Sequence, residues 1–298
     1  RLYANILKSL DTFHSTSSAD AQIFRSIHSA EILYNKGLYK QAEKILASAE
    51  KQAKKHENLN LLLEIKEKQK KLIENELYTD VKAAEITKMY EAEESIVNEI
   101  SKYQLLWNIK SLLFQEINRN GKVRDENETI KLQKLVDRVV ELDVKNSSTK
   151  SRYLFHHIQS AYYFSVNDLK LSHYHLKAIV VLLEDNGVLF KQQPNLYFST
   201  LTNFIYISTR LKKYNEAEAD YNKAILLAPK DAKTYNNRGA LYYSLKKYDL
   251  ALADYSKAIS LNPKDASSYS NRGLLYNELK KFRLTLQDCN QAIALNPK

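Results

Sequence analysis

Apolar residues along most of the chain recur every three or four positions, which is the spacing of one face of an α-helix. One such stripe is Ile23, Ile27, Ala30 and Leu33, and another follows between Tyr39 and Ala49. Gly37 stands between the two stripes, where a turn is needed. The pattern predicts a helix hairpin at about residues 20–54.

A second hairpin is predicted at about residues 151–186, with one helix on each side of Asn167 and Asp168. Between the two hairpins the periodic stretches are longer and hold almost no Gly or Pro. They predict helices at residues 59–77, about 81–117 and roughly 126–142. Residues 1–197 are therefore expected to be a divergent helical region, with long helices between its hairpins.

The shortage of Gly and Pro supports an all-α fold. The 298 residues include 5 Gly and 4 Pro, whereas ordinary usage would give roughly 20 and 15. A β-sandwich or a barrel needs many tight turns, which these two residue types supply. Long helices with short connections need far fewer.

The last hundred residues repeat themselves. Pro229, Pro263 and Pro297 are 34 residues apart, and other positions recur at the same interval, among them Tyr235 and Tyr269, Gly239 and Gly273, Tyr242 and Tyr276, and Ala258 and Ala292. A fixed period of this length is the signature of a repeat architecture. It predicts three units, at residues 198–231, 232–265 and 266–298.

The middle unit resembles the tetratricopeptide repeat (TPR) signature. It reads Tyr235-x2-Arg238-Gly239-x2-Tyr242, followed by Ala251-x3-Tyr255, Ala258 and Pro263. The first unit departs from the signature with Phe204-Ile205 where Leu-Gly is usual, and the third unit has Thr285 and Cys289 at its small and aromatic positions. The resemblance implies a right-handed α-solenoid of antiparallel helix hairpins. Residues 1–197 more loosely resemble uncharacterised helical TPR-like proteins of Bacteroidetes.

The family resemblance implies that the first helices of successive repeats line a concave, peptide-binding groove. Asn side chains on that face could donate to and accept from an extended peptide backbone. By helical phase, the face includes Thr202, Asn203, Tyr206, Lys233, Asn236, Asn237, Ala240, Tyr243, Ser270, Asn271, Leu274 and Asn277. The alternative is that these polar side chains only solvate an exposed surface.

The Tyr-Ser-Asn271-Arg segment resembles part of the clamp by which some TPR domains hold a terminal carboxylate. If Asn271 is the central residue of the clamp, the preceding repeat has Asn236 and Ala240 where Lys and Asn are needed. If Asn237 is the central residue, the neighbouring repeats offer Thr202, Tyr206, Ser267 and Asn271 where Lys and Arg are needed. We therefore predict that the groove is not a carboxylate clamp.

The net charge of +10 indicates which kinds of partner the protein could bind. Residues 198–298 hold 16 Lys and Arg against 9 Asp and Glu, which suits an acidic protein or peptide. An alternative is a helical-repeat protein that binds RNA through this basic third. Against RNA, the Lys pairs recur at hairpin ends, and no consistent pair of base-reading residues recurs. We expect a protein-binding scaffold.

The sequence holds no motif for catalysis, a cofactor or a metal. It lacks a Gly-rich phosphate loop, a Gly-x-Ser-x-Gly elbow and a His-Glu-x-x-His helix. His156, His157, His173 and His175 are adjacent or alternate, which does not suit ligands on one helix face. The acidic cluster of Glu91, Glu93 and Glu94 is expected to be a solvated surface, and Cys289 to pack in the core. We expect no enzyme activity, no cofactor and no metal.

The two ends of the sequence suggest a fragment or a processed chain. Residue 1 is Arg rather than Met, and no signal-peptide core or membrane-spanning apolar run of about 18 residues is present. We expect a cytoplasmic protein, although an N-terminal targeting segment could have been removed. The last repeat lacks a covering helix, so either more repeats follow or this end associates with something, including a second copy end to end.

Overall fold

The fold is all-α. The computed structural model describes residues 18–75, 82–120, 126–187 and 194–296. These residues form thirteen helices and no strand, in the manner of a helical-repeat solenoid. The helices are α1 (Ala19–Asn35), α2 (Tyr39–Lys55), α3 (Leu59–Asn75), α4 (Ala83–Asn120), α5 (Glu126–Val140), α6 (Thr149–Ser165), α7 (Leu169–Asp185), α8 (Pro194–Arg210), α9 (Tyr214–Leu227), α10 (Ala232–Ser244), α11 (Tyr248–Leu261), α12 (Ala266–Glu278) and α13 (Phe282–Leu295).

The chain forms two compact units, residues 1–158 and 159–298. The boundary lies within α6. The sequence instead divides the chain at residue 197, where the strict 34-residue period begins. Repeat similarity and packing are different criteria, and the division at residue 197 stays a prediction. The Asn120–Gly121 break and Pro297 lie at or beyond the edges of the described residues.

The core of the first unit begins with the predicted hairpin. Ser18 caps α1, because its hydroxyl accepts a hydrogen bond from the backbone N–H of Ala21 at 3.1 Å. Gly37 takes the left-handed conformation, with φ +74°, at the turn. Small residues on α2 let the helices approach closely around one buried cluster, whose members include Ile23, Ile27, Ala42, Leu46, Ala49, Ala53, Leu61 and Ile65.

Two carboxylates from other helices and turns cap the start of α6. The Glu57 carboxylate accepts from the Thr149 backbone N–H at 3.0 Å and from the Thr149 hydroxyl at 2.7 Å. The Glu99 carboxylate accepts from the Ser148 N–H at 2.9 Å. Burial opposes the charge of Glu99, but hydrogen bonds from Ser151 and Ser148 outweigh burial and lower its pKa. Acidic residues here therefore stabilise a helix N-terminus.

The hairpin turns of the repeats are made by lysines. Lys212, Lys246 and Lys280 all take the left-handed conformation, with φ of 59°, 58° and 58°. At the middle turn the N–H of Lys246 donates to the Tyr243 carbonyl, and the N–H of Lys247 to the Tyr242 carbonyl, both at 2.9 Å. These bonds satisfy carbonyls that the end of a helix leaves free.

Two partly buried ion pairs join the helices within the second and third repeats. Arg238 donates through Nε and Nη2 to the two oxygens of Asp254, both at 2.7 Å. Arg272 holds Asp288 in the same way, at 2.7 and 2.9 Å. The hydrogen bonds to the carboxylates raise the pKa of both guanidinium groups. The planar fork of arginine fixes the relative rotation of the two helices.

Gly239 marks the closest approach between α10 and α11. A Cβ atom at this position would lie 2.8 Å from Cδ1 and Cε1 of the Tyr255 ring. The equivalent Gly273 is less constrained, because a Cβ atom there would meet Cys289 Sγ at 3.3 Å. The middle repeat therefore depends on glycine more strictly than the last repeat.

We expect Gly239→Ala to lower the free energy of unfolding by about 1–3 kcal/mol, because the new methyl group must displace a buried ring. Gly273→Ala is the matched control. It should change stability by less than about 1 kcal/mol, since the better helix propensity of alanine offsets a mild contact. Urea unfolding followed by circular dichroism measures both. Equal effects of the two substitutions would contradict the assignment of the close crossing to Gly239.

Candidate functional site

A cleft of about 790 Å³ opens between the first helices of the first two repeats. Its wall on one side is α8 and on the other side α10, and α9 contributes Tyr221. The residues that line it are Phe198, Thr202, Asn203, Ile205, Tyr206, Thr209, Arg210, Tyr221, Asp231, Lys233, Thr234, Asn237, Ala240, Leu241 and Ser244. This volume lies within the range of pockets that hold small ligands or peptide side chains.

The floor of the cleft is apolar and buried. Ile205, Leu241 and Tyr221 are 1%, 2% and 8% exposed and belong to one buried cluster, against which Phe198 packs. Burial raises the pKa of Tyr221 to about 12, so its hydroxyl stays neutral at physiological pH. An apolar group that enters the cleft would meet a surface already held in place by the core.

The charged groups of the cleft are two cations and one anion. The Asp231 carboxylate is engaged as the N-cap of α10, because it accepts from the N–H of Thr234 at 2.9 Å and also from the Thr234 hydroxyl. The Arg210 guanidinium donates to the Tyr206 hydroxyl at 3.1 Å. Lys233 is exposed and forms no ion pair with any residue of the described ranges. The cleft thus offers Lys233, which is exposed and unpaired among the described residues, and Arg210, which lies beside the Tyr206 ring.

Six of the residues predicted to face a groove line this cleft together. They are Thr202, Asn203, Tyr206, Lys233, Asn237 and Ala240. Asn203, Asn237 and Lys233 are exposed, and Tyr206 is 49% exposed. The structure therefore brings together the part of the predicted face that comes from the first two repeats. Whether it holds a peptide stays a prediction.

Asn236 is buried, although helical phase predicts that it faces the groove. Its side chain is 8% exposed, and its amide oxygen accepts a hydrogen bond from Asn271 Nδ2 at 3.0 Å. The two residues therefore link α10 to α12, and Asn236 is a packing residue rather than an accessible groove residue. Helical phase places a residue on a face but does not show whether the next helix covers it.

The remaining predicted residues lie outside the cleft. Ser270, Leu274 and Asn277 are exposed on α12. Tyr243 is partly buried, with its ring centroid 6.0 Å from that of Tyr248. The residues predicted for the third repeat therefore do not line this cleft.

Sequence reasoning missed Phe198, Arg210 and Ser244, which also line the cleft. A signal for Arg210 was available, because it follows Tyr206 by four residues and so shares its helix face. The guanidinium carbon lies 5.9 Å from the Tyr206 ring centroid. Phe198 and Ser244 lie near opposite ends of their helices, where only the three-dimensional arrangement shows that they share a cleft.

The four histidines considered as metal ligands, His156, His157, His173 and His175, and Cys289 are partly or fully buried. His157 lies against Phe114 and Tyr153, with ring centroids 5.1 and 5.4 Å apart. His173 is 3% exposed, and its Nε2 lies 3.0 Å from the Glu216 carboxylate. Cys289 is partly buried. In the described part of the chain, no group of three or more His, Cys, Asp or Glu residues is arranged to hold a metal ion.

The family comparison agrees with the 34-residue period. Residues 206–231, 232–265 and 266–298 each match a model of the tetratricopeptide repeat. The C-terminal part of this chain consists of tetratricopeptide repeats. The cleft therefore lies between the first and second TPR units, and the matches leave residues 1–205 outside.

Several solved structures resemble parts of the chain. A MamA structure from Desulfovibrio magneticus RS-1 is 15% identical over 66% of this chain and 96% of its own, with a TM-score of 0.49. The first TPR of Spaghetti (RPAP3), bound to an HSP90 peptide, is 28% identical over 34% of this chain and 80% of its own, with a TM-score of 0.33. The Arabidopsis OM64 TPR domain is 27% identical over 34% and 84%, with a TM-score of 0.33. No curated protein sequence matches the chain.

None of the helices within the described ranges is both long enough and apolar enough to cross a membrane.

The contrast between Asn236 and Asn237 can be measured. We expect Asn236→Ala to lower the free energy of unfolding by about 1 kcal/mol, because it removes a partly buried hydrogen bond. Asn237→Ala should stay within about 0.5 kcal/mol of wild type, since the side chain is exposed. Urea titration of the two variants measures the difference. A larger loss for Asn237→Ala than for Asn236→Ala would show that the roles are reversed.

The buried position of His157 predicts a pH dependence for the first unit. Burial, aided by the charge of Lys110, lowers the pKa of His157 to about 4, against about 6.5 in the unfolded chain. Below pH 6.5 the unfolded chain gains a proton that the folded chain does not, so stability falls as the pH decreases from about 6.5 to about 4. His157→Phe should reduce this slope.

The fluorescence of Trp107, the only tryptophan, reports on unfolding of the same unit. Urea titrations at several pH values give the slope for wild type and His157→Phe. His28→Phe is the control, because His28 is exposed. If the His157 variant keeps the full slope and the His28 variant loses it, the burial argument is wrong.

Proposed function

We propose that the chain is a non-catalytic interaction scaffold whose cleft binds an extended, acidic peptide segment of a protein partner. The observation that supports this proposal is the arrangement of the cleft, where two exposed Asn side chains and an exposed Lys stand around an apolar floor. No single one of these features would select a peptide. Together they match the backbone, one acidic side chain and one apolar side chain of the same segment.

The backbone would be held by Asn203 and Asn237. They stand 34 residues apart at equivalent positions of α8 and α10, and both are exposed in the cleft. Each amide can donate and accept, and an extended backbone presents N–H and C=O groups in alternation. Such contacts bind a main chain with little demand on its sequence.

The acidic preference would come from Lys233 and Arg210. The two cations outnumber the single carboxylate of the cleft lining, Asp231, whose oxygen Oδ2 already accepts hydrogen bonds from Thr234. A carboxylate could form a charge-assisted hydrogen bond with Lys233, and a second could approach the guanidinium of Arg210. An incoming Lys or Arg would instead meet like charge.

The apolar preference would come from two aromatic residues that line the cleft. Phe198 is partly buried against the core cluster that contains Ile205 and Leu241, and the Tyr206 ring is about half exposed on the wall. A Leu, Phe or Tyr side chain of the peptide would exclude water from this surface, which is worth roughly 1.5–3 kcal/mol for full burial. The preferred segment therefore alternates acidic and apolar side chains.

Selection from a phage library of random peptides on the full chain tests the proposal. Enriched peptides should carry net negative charge and at least one aromatic or long aliphatic residue. Fluorescence anisotropy of a labelled peptide from that selection then gives its affinity for each variant. We expect Lys233→Glu to weaken binding at least about tenfold, or about 1.4 kcal/mol, because it reverses a charge inside the cleft.

The matched control is Lys257→Glu, which makes the same change on the exposed surface of α11, outside the cleft. It should alter the affinity less than about twofold, as expected for a charge far from the ligand. Asn203→Ala and Asn237→Ala should each weaken binding by about fivefold, the value of one hydrogen bond. Equal losses for Lys233→Glu and Lys257→Glu, or no enriched peptide, would contradict the cleft as the site.

The same measurements distinguish the RNA alternative. RNA binding through the basic third would fall steeply with salt and would respond equally to Lys233 and Lys257. Binding of a peptide through amides and an apolar floor would persist at moderate salt. A cytoplasmic location stays a prediction from the sequence. Self-association through the last repeat is a separate prediction and concerns another surface.

A further inference from the structure

We propose that one edge of the TPR array binds a membrane surface that carries anionic lipids. This edge, called here the lysine edge, consists of the lysine pairs at the hairpin turns of the three repeats: Lys212 and Lys213, Lys246 and Lys247, and Lys280 and Lys281. All six lysines are exposed, and none of them lines the peptide cleft. The lysine edge is therefore a surface separate from the cleft.

The hairpin turns bring these lysines to the same side of the array. Each pair connects the first helix of a repeat to the second helix, and the turn closes in the same way each time. The backbone N–H groups of Lys212, Lys246 and Lys280 donate to the carbonyl three residues earlier, at 3.0, 2.9 and 2.9 Å. Because repeats stack side by side, equivalent turns form a row that carries one lysine pair per repeat.

The first lysine of each pair takes a backbone conformation that is unfavourable for a residue with a Cβ atom. The φ angles are 59°, 58° and 58°, in the left-handed region that glycine adopts without strain. Gly37 makes the same turn in α1–α2, with φ +74° and its N–H bonded to the Tyr34 carbonyl at 2.9 Å. The turn itself therefore does not require lysine.

Glu57 shows what a long side chain in this conformation can do. Its φ is 48°, and its carboxylate accepts two hydrogen bonds from Thr149 at the start of α6. In contrast, no Nζ atom of Lys212, Lys246 or Lys280 forms a hydrogen bond or an ion pair with any residue in the described parts of the chain. Three strained positions whose side chains have no task within the fold indicate a partner outside it.

The helix dipole explains only part of each pair. A cation near the C-terminal end of a helix is favoured by the dipole, and two of the second lysines also meet carboxylates. Lys213 Nζ lies 3.8 Å from the Glu216 carboxylate, and Lys247 Nζ lies 2.9 Å from that of Glu218. The first lysine of each pair adds a further charge, at a position where glycine would be less strained.

The composition of the edge favours a charged surface over a nucleic acid. The row contains lysine only, which is a compact and strongly hydrated cation, whereas the arginine fork suits the individual phosphates of a nucleic acid. The aromatic residues that follow the first two pairs, Tyr214 and Tyr248, pack against the buried clusters of their repeats, so they offer no platform on which bases could stack. A row of exposed lysines is instead attracted to the negative potential of an anionic membrane.

Co-sedimentation of the full chain with lipid vesicles tests the proposal. Vesicles of phosphatidylserine and phosphatidylcholine at about one to three provide an anionic surface, and pure phosphatidylcholine provides a neutral one. We expect wild type to bind only the anionic vesicles, and to bind them less as salt screens the charges. Lys212→Gln, Lys246→Gln and Lys280→Gln together should weaken binding at least about tenfold, since each lysine near such a surface contributes roughly fivefold.

The matched control replaces Lys230, Lys257 and Lys264 by Gln. These lysines are also exposed, and their loss lowers the net charge of +10 by the same three charges, but none of them lies at a hairpin turn. The control should weaken vesicle binding less than about threefold, because only distant, screened charges are removed. Neither triple variant changes a residue of the cleft, so the affinity for a selected peptide should stay as in wild type.

Glycine at the same three positions separates binding from folding. Lys212→Gly, Lys246→Gly and Lys280→Gly remove the same charges but relieve the left-handed conformation. This variant should bind anionic vesicles as weakly as the Gln variant, while its urea midpoint should equal or exceed that of wild type.

Four results would overturn the proposal. The first is a wild type that does not bind anionic vesicles, and the second is an equal loss in the edge variant and its control. The third is a glycine variant that binds vesicles as wild type does. The fourth is binding of an oligouridylate but not of vesicles, which would assign the lysine edge to RNA.

Discussion

The TPR array depends on how closely the two helices of a hairpin can approach each other. Gly239 on α10 leaves room for the Tyr255 ring of α11, and Ala251 and Ala258 are fully buried in the same contact region. Close backbones place the Arg238 guanidinium within reach of Asp254. A larger residue at the crossing would separate these groups, so packing and the ion pair stabilise the same geometry.

The first repeat forms the same helix hairpin with different side-chain contacts. Phe204 and Ile205 stand where the second repeat has Arg238 and Gly239. Where the second repeat has an arginine, the buried Asp220 pairs instead with Lys223, at 3.4 Å, and burial raises the pKa of its carboxyl group. The aromatic and aliphatic side chains fill the interior instead. This exchange of a polar contact for an apolar one also supplies the floor of the cleft.

Sequence reasoning predicted the helices well, because their apolar stripes are regular and their turns are short. The Asn167 turn and the Gly37 turn follow from residues that accept positive φ. It did not predict the left-handed conformation of Lys212, Lys246 and Lys280, since lysine has no intrinsic preference for it. There the bonds that close the helix end outweigh a local cost of about 1 kcal/mol.

Part of the candidate site could also be predicted, namely the part that depends on a single helix. Helical phase identifies the exposed Asn203 and Asn237, because phase depends only on position along one helix. It cannot distinguish them from Asn236, whose burial depends on a hydrogen bond to Asn271 in the next repeat. Cleft residues such as Phe198 and Ser244 likewise depend on how successive helices meet.

The position of the cleft follows from where the repeat pattern breaks. Where the signature is followed, as in the second repeat, an arginine and a glycine hold the two helices together. Where it is not followed, Ile205 takes the place of glycine and lines the cleft. Positions where the sequence departs from the repeat signature, while the repeat still folds, are candidates for a specific function. By this reasoning, the peptide preference that we propose would reside in the least regular repeat, and the contacts of the regular repeats would hold the cleft in its shape.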